Sequence, residues 1–209
     1  MPTTPTIDTS TAQAFRNAMA AVASPVAIVT TMDGHRPHGT TVSAFASLSL
    51  TPPMVLVSLD NRSQLLALIR RTGRFGLNIL GTHQDGLAAS FARSGRDKFD
   101  DVIWSPSEDL PRLPGSAAWI AAEVDEYVSA GDHTVLLARV VTAEQGEESL
   151  SPLTYHRRAF GTHTPLRYRL RSVRVGTVRG HPSWRMPSRL RRVTGWLRSC
   201  SIAARGSRV

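Results

Sequence analysis

At 209 residues, with 41% hydrophobic and 20% charged residues, the chain is long enough to bury a core and has the composition of a globular protein. No apolar run approaches the roughly 18 residues that span a bilayer, the N-terminus MPTTPTIDTSTAQ has neither the basic nor the apolar region of a secretory signal, and the single cysteine, Cys200, excludes an internal disulfide and a Cys-rich metal site. A soluble, cytoplasmic protein with no membrane partner is expected, and its net charge of +9 sits entirely in the tail: twelve Arg and no acidic residue from Arg167 onward, against a net −3 before it.

The first dozen residues, rich in Thr, Pro and Ser, read as loose. A helix is expected over 12–21, where Phe15, Met19 and Val22 share one face. Pro25 ends it and opens a strand over 26–31, VAIVTT, followed by the turn signal Asp33-Gly34. The block 38–50 alternates small polar and apolar residues. Pro52-Pro53 breaks it before the strand MVLVSL. SQLLALIRR, 63–71, predicts a helix with Ser63 as N-cap and Gly73 past its end. RFGLNIL, 74–80, reads as a strand and 84–93 as a helix; 94–116 is irregular and Pro-containing. Two paired strands then run through AWIAAEVDEYVSA and TVLLARVVTAEQ, joined at Gly131-Asp132-His133.

Many short strands with few helices predict a mainly β fold, an antiparallel barrel, and no repeat suggests a solenoid. Three regions are expected: a flexible N-terminus over 1–12, a domain over 13–166, and an Arg-rich disordered extension over 167–209. The alternative for that extension is a tether to nucleic acid or to an anionic membrane.

The stretch Thr40 to Ser49, TTVSAFASLS, places hydroxyls alternately with apolar side chains. As a strand it presents donors on one face and core contacts on the other, and its small side chains let the backbone approach a planar ligand. The same alternation is common in half-buried strands. His35 and His38 flank Pro37, yet no third ligand has convincing metal spacing, and no metal is expected. Neither a G-x-G-x-x-G after a strand nor a G-x-S-x-G elbow occurs.

Taken in order, VAIVTTMDG, HGTTVSAFASLSLTPPMVLVSLDNRS, FGLNIL, LAASFARSGRDKF, GDHTVLLARVV and PLTYHRRAF resemble the flavin reductase family of the FMN-binding split-barrel fold, over about Phe15 to Phe160. The resemblance implies a Greek-key split β-barrel with a few flanking helices. It implies NAD(P)H:flavin oxidoreductase activity: a hydride passes from NADH or NADPH to FMN or FAD, and reduced flavin goes to a partner monooxygenase. It also implies a homodimer. Thr41, Val42, Ser43, Ala44, Ser47, Leu48 and Ser49 match the segment along the flavin ring and ribityl chain. Ser58, Asp60, Asn61, Arg62 and Ser63 match a strand-to-helix turn suited to a phosphate, where Ser63 is equally a cap and Asn61 and Arg62 equally solvated turn residues.

Phe91, Ala92 and Arg93 match the family's FA-[RK] element, with Lys98 close behind. Arg93 and Lys98 are candidates to neutralise phosphate or plain surface cations; Phe91 reads as packing. Asn78 reads as a structural hydrogen-bonding residue. The family resemblance associates His133, of the GDH element, with positioning the nicotinamide, and Tyr155, His156 and Arg157 with further NAD(P)H contacts. There HRRAF departs from the family, where a Gly commonly follows. Hydride transfer needs no protein acid or base for its central step, which agrees with the lack of a catalytic triad. Two other readings stand beside this one: a flavin-retaining oxidase or oxygenase of the same fold, and a nucleic-acid-binding protein acting through the basic tail.

Overall fold

The computed structural model describes residues 8–95 and 98–165. The expected disordered extension over 167–209, and the nucleic-acid reading that depends on it, lie outside the described residues. The elements are α1 (Thr9–Met19), β1 (Ser24–Pro25), β2 (Ala27–Asp33), β3 (Arg36–Val42), β4 (Phe45–Leu50), β5 (Pro53–Asp60), α2 (Gln64–Thr72), β6 (Arg74–Ile79), a 3₁₀ turn (Thr82–Gln84) and α3 (Asp85–Ala92). They continue with β7 (Ser105–Ser107), β8 (Leu110–Arg112), β9 (Ala118–Ala130), β10 (His133–Gln145), β11 (Leu153–His156) and β12 (Ala159–Thr162).

Helix α1 begins three residues before the expected start because Asp8 caps it: the Asp8 carboxylate accepts from the Ser10 amide at 3.0 Å. Its apolar stripe is left on the surface, with Phe15, Met19 and Val22 all exposed.

Seven strands form one antiparallel sheet in the order β3-β2-β6-β9-β10-β5-β4. The block expected as one alternating run is therefore two strands on opposite edges of that sheet. Only Ser43 and Ala44 separate β3 from β4 in the chain. A two-residue link can join the two edges only if the sheet curls until they approach, since extended chain covers roughly 3.3 to 3.6 Å per residue. The result is an antiparallel barrel split along the β3/β4 seam, mainly β as expected. The Ser58 amide donates to the Ala44 carbonyl at 2.9 Å and holds the crossing against β5.

Strand β2 is buried on both faces, which is why VAIVTT reads as a continuous apolar and β-branched run. Ala27 and Val29 face the barrel interior, where they pack with Val57, Phe75, Leu77 and Leu136 and with Leu65 and Ile69 of α2. Val26 and Ile28 face the other way, against Ala88 and Phe91 of α3, Leu113 and Leu153. Helix α2 thus plugs the barrel through Leu65, Leu66 and Ile69, with Leu68 also buried, while Arg70 and Arg71 fall in its last turn beside the negative end of the dipole. Gly73 ends it at φ 70°, the left-handed conformation that a glycine adopts at least cost.

The segment 94–116, expected as irregular, contains the hairpin β7–β8, whose turn residues Glu108 and Asp109 take φ of 50° and 57° without a glycine. A three-stranded sheet in the order β1-β11-β12 lies beside the barrel. Among the described residues no helix is long and apolar enough to cross a membrane.

Candidate functional site

A cavity of about 1390 Å³ opens at the seam. Five pieces of chain line it: the β2–β3 end (Asp33, Arg36 to Gly39), the strand end and crossing Thr40 to Ala44, the β5–α2 turn (Ser58 to Asp60, Arg62 to Leu65), the segment after α3 (Ala92 to Gly95, Lys98 to Asp100, Trp104), and His133. Of the residues selected from sequence, Thr41, Val42, Ser43, Ala44, Ser58, Asp60, Arg62, Ser63, Ala92, Arg93, Lys98 and His133 are brought together here.

At the crossing the hydroxyls of β3 turn outward to α3 instead of inward. Thr41 Oγ1 donates to the Ala88 carbonyl at 2.7 Å and Thr40 Oγ1 to the Phe91 carbonyl at 3.4 Å. What the end of β3 from Thr40 and the crossing offer the cavity is therefore mainly backbone and small side chains. At the β5–α2 turn, the Asp60 carboxylate accepts from the Arg62 amide at 2.8 Å and from its guanidinium at 3.2 and 2.9 Å. Hydrogen bonding from Arg62 holds the Asp60 pKa down at about 2. Ser63 sits at the N-cap of α2 without making a side-chain cap bond. Its hydroxyl and the first turn of the helix, Gln64 and Leu65, border the cavity, an arrangement suited to an anion.

The Lys98 ammonium is held by backbone carbonyls, Phe91 O at 2.8 Å and Gly39 O at 3.4 Å, and its burial lowers its pKa. It binds the end of α3 to β3 and leaves a positive charge in the cavity wall. His38, one strand position from Gly39, has its pKa lowered by burial first and by Arg36 next, and its Nε2 is buried without a hydrogen-bond partner. At the opposite border, His133 Nδ1 lies 2.7 Å from the Asp132 carboxylate, whose pKa the contact lowers. That pairing leaves Nε2 as the ring nitrogen open to a ligand.

The remaining sequence-selected residues stand elsewhere. Ser47, Leu48 and Ser49 lie on edge strand β4, with Leu48 exposed and the Ser49 hydroxyl accepting from the Thr51 amide at 3.2 Å. Asn61 points away from the cavity, into bonds with the β9–β10 turn. Phe91 is fully buried and meets Phe99 edge to face at 4.9 Å, the packing role expected of it. Tyr155 and His156 are on β11 and Arg157 in the turn after it, with the Tyr155 ring 5.3 Å from Phe160. Arg36, His38, Gln64 and Trp104 line the cavity and were not selected from sequence; only the pairing of His38 with His35 around Pro37 had singled out any of them. Asn78 is fully buried and accepts from the Leu113 amide at 2.8 Å while donating to Ile28 and Pro111 carbonyls, a structural role as expected.

Residues 19–164 match the model of the flavin reductase like domain. The chain is 41% identical over 153 residues to the reductase component of a 4-nitrophenol 4-monooxygenase/4-nitrocatechol 2-monooxygenase from Rhodococcus opacus, covering 73% of this chain and 82% of that protein. It is 35% identical over 157 residues to an NADH:riboflavin 5'-phosphate oxidoreductase from Streptomyces pristinaespiralis, covering 73% and 89%. Among solved structures, a nitrilotriacetate monooxygenase component B homologue from Mycobacterium thermoresistibile superposes with a TM-score of 0.71 at 31% identity, covering 78% of this chain and 94% of that one. An NADH:FAD oxidoreductase from Streptomyces globisporus, in complex with NAD and FAD fragments, superposes with a TM-score of 0.70 at 26% identity, covering 78% and 98%.

Proposed function

The chain belongs to the flavin reductase family, and from that premise we propose that it is an NAD(P)H:flavin oxidoreductase working in the seam cavity. The volume of that cavity carries the reading. A pocket for one small molecule occupies roughly 300 to 1,000 Å³, and the 1390 Å³ here accommodates a flavin with a nicotinamide stacked on it. The lining suits both. Val42, Ser43 and Ala44 bring the backbone against a ring edge, while Ser58, Arg62, Ser63 and the α2 N-terminus face a phosphate. Arg93 and Lys98 add positive potential, the Thr41 hydroxyl ties β3 to α3 through the Ala88 carbonyl, and Ala92 lines the wall beside them.

When bound, FMN or FAD supplies the ring that accepts a hydride from NADH or NADPH. The chain's part is to set distance and orientation and to exclude water. His133, held through Nδ1 by Asp132, would offer Nε2 to the carboxamide or the pyrophosphate of NAD(P)H. Its replacement by Ala is expected to raise the KM for NADH about tenfold with flavin affinity retained, the loss of one oriented polar contact.

The reduced flavin is passed to a partner monooxygenase, as the role of the Rhodococcus opacus relative suggests. The working unit is a cytoplasmic homodimer. In it the exposed Ser47 and Leu48 and the half-buried Ser49, with Tyr155, His156 and Arg157, complete the cofactor contacts across the interface, and sedimentation should give twice the chain's 22.8 kDa. The catalytic domain proposed over 13–166 is preceded by the start of α1 at Thr9. The deciding experiment mixes purified protein with NADH or NADPH and FMN or FAD and follows nicotinamide oxidation. Acceleration above free flavin is expected; none, with yellow flavin retained on the protein, would instead favour the self-contained oxidase.

A further inference from the structure

His133 opens strand β10, and Thr134, the next residue, points to the opposite face of the sheet. There Thr134 is 1% exposed and its hydroxyl stands at a junction. It donates to Asn61 Oδ1 at 2.7 Å and accepts from Arg70 Nη2 at 3.2 Å. Asn61 reaches on to the β9–β10 turn, with its side-chain Nδ2 3.4 Å from the Gly131 carbonyl and its backbone amide 2.9 Å from the Asp132 carbonyl. Arg70 is steadied over the Tyr127 ring at 5.2 Å, and the Tyr127 hydroxyl donates to the Ile69 carbonyl at 3.2 Å. The network borders a separate pocket of about 290 Å³ behind the sheet, and neither Asn61, Thr134 nor Arg70 lines the seam cavity.

We propose that Thr134 and Asn61 are positioning residues: a clamp from α2 to the β9–β10 turn that fixes where Asp132 and His133 stand at the cavity border. The turn needs such a clamp. Gly131 takes φ of 61°, both Asp132 and His133 are substantially exposed, and Asp132 is bound to the molecule at its backbone carbonyl by Asn61. The sheet pairing of His133 with Asp60 and Ala130 and the Asn61 amide bond to the Asp132 carbonyl anchor the backbone. The side-chain clamp adds the tie at the Gly131 end of the turn, and without it the Asp132–His133 pair stays intact but its tilt relative to the β5–α2 turn loosens. The loss falls on the ligand that His133 meets and spares the one held by the crossing and the α2 N-terminus. This assignment rests on the reading of the cavity as a flavin and nicotinamide site.

Thr134→Val keeps the shape and removes the hydroxyl, and Thr134→Ser restores it. Thr134→Val is expected to raise the KM for NADH about fivefold, one net hydrogen bond's worth, with the flavin KM and saturated kcat changed less than about twofold and Thr134→Ser near wild type. The His133 imidazole proton resonances should shift and broaden in Thr134→Val and return in Thr134→Ser. Asn61→Ala, at an exposed residue, should reproduce both effects if the valine variant does not fold. The clamp is overturned if the imidazole resonances do not move, if both KM values rise together, or if the serine variant is as impaired as the valine one. Failure of the wild type to oxidise NADH would sink the functional reading alone, since the imidazole spectra test the clamp without turnover.

Discussion

A methyl group added at Gly39 would stand 2.9 Å from the Phe91 ring and 3.2 Å from the Val29 carbonyl. Phe91 is fully buried and Val29 is backbone in a central strand, so neither neighbour can give way. Gly39→Ala is expected to cost about 2 kcal/mol by overpacking, read as a lowered urea midpoint. The resemblance pointed to HGTTVSAF, but the reason for its glycine lies 52 residues further along the chain, in α3. Asp60 shows the reverse case, a contact that is local and legible: D-N-R in a turn places carboxylate and guanidinium within reach. Because its pKa is lowered to about 2, the contribution of the Asp60–Arg62 pair is complete above about pH 4 and lost as pH falls through about 2. The Asp60 carboxyl carbon should titrate near that lower value, and Arg62→Gln should move its midpoint upward. The pair is on the surface, so global stability should change little.

At the scale of elements, periodicity and caps located the longer pieces well. Leu65, Leu66, Leu68 and Ile69 mark the buried face of α2, and Gly73 its end. The two strands flanking Gly131-Asp132-His133 lie at 118–130 and 133–145. What escaped were elements defined by their partners. The hairpin β7–β8 has three residues per strand, two prolines and a turn without glycine, so no local signal separates it from loop. It is held instead by Asn78, whose carboxamide bonds the Leu113 amide and the Pro111 carbonyl and joins β8 to β6 and β2. Asn78→Ala leaves the buried Leu113 amide without its partner, while the Pro111 carbonyl keeps the Thr30 hydroxyl at 2.8 Å, and is expected to cost about 2 kcal/mol, measured by urea denaturation, with protease sensitivity rising first in 105–112. Helix α1 is the mirror image: its apolar spacing set Phe15, Met19 and Val22 on one face, and the described chain leaves all three exposed.

At the scale of the molecule, the match to the flavin reductase like domain ends at residue 164, just before the Arg-rich segment begins at Arg167. Truncation after Leu166 is therefore expected to leave nicotinamide oxidation within about twofold of the full chain, while any salt-sensitive affinity for nucleic acid disappears with the twelve Arg. Loss of activity on truncation would place catalytic contacts beyond the matched region. By itself the sequence determined the mainly β class, the ordered family motifs and the identity of most groups at the cavity, because strand alternation, caps and turn residues are local properties of the chain. Only the tertiary structure decided which of those groups meet. The strand order sets β3 and β4 on opposite edges, and curling of the seven-stranded sheet brings those edges together at the cavity, where Ser43 and Ala44 cross between them. That geometry turns the hydroxyls of Thr40 and Thr41 to α3, leaves Ser47 to Ser49 on an outer edge, and brings Arg36 and His38 to the cavity wall. Contacts between segments distant in the chain depend on sheet order and curvature, and neither is written in any single stretch of residues.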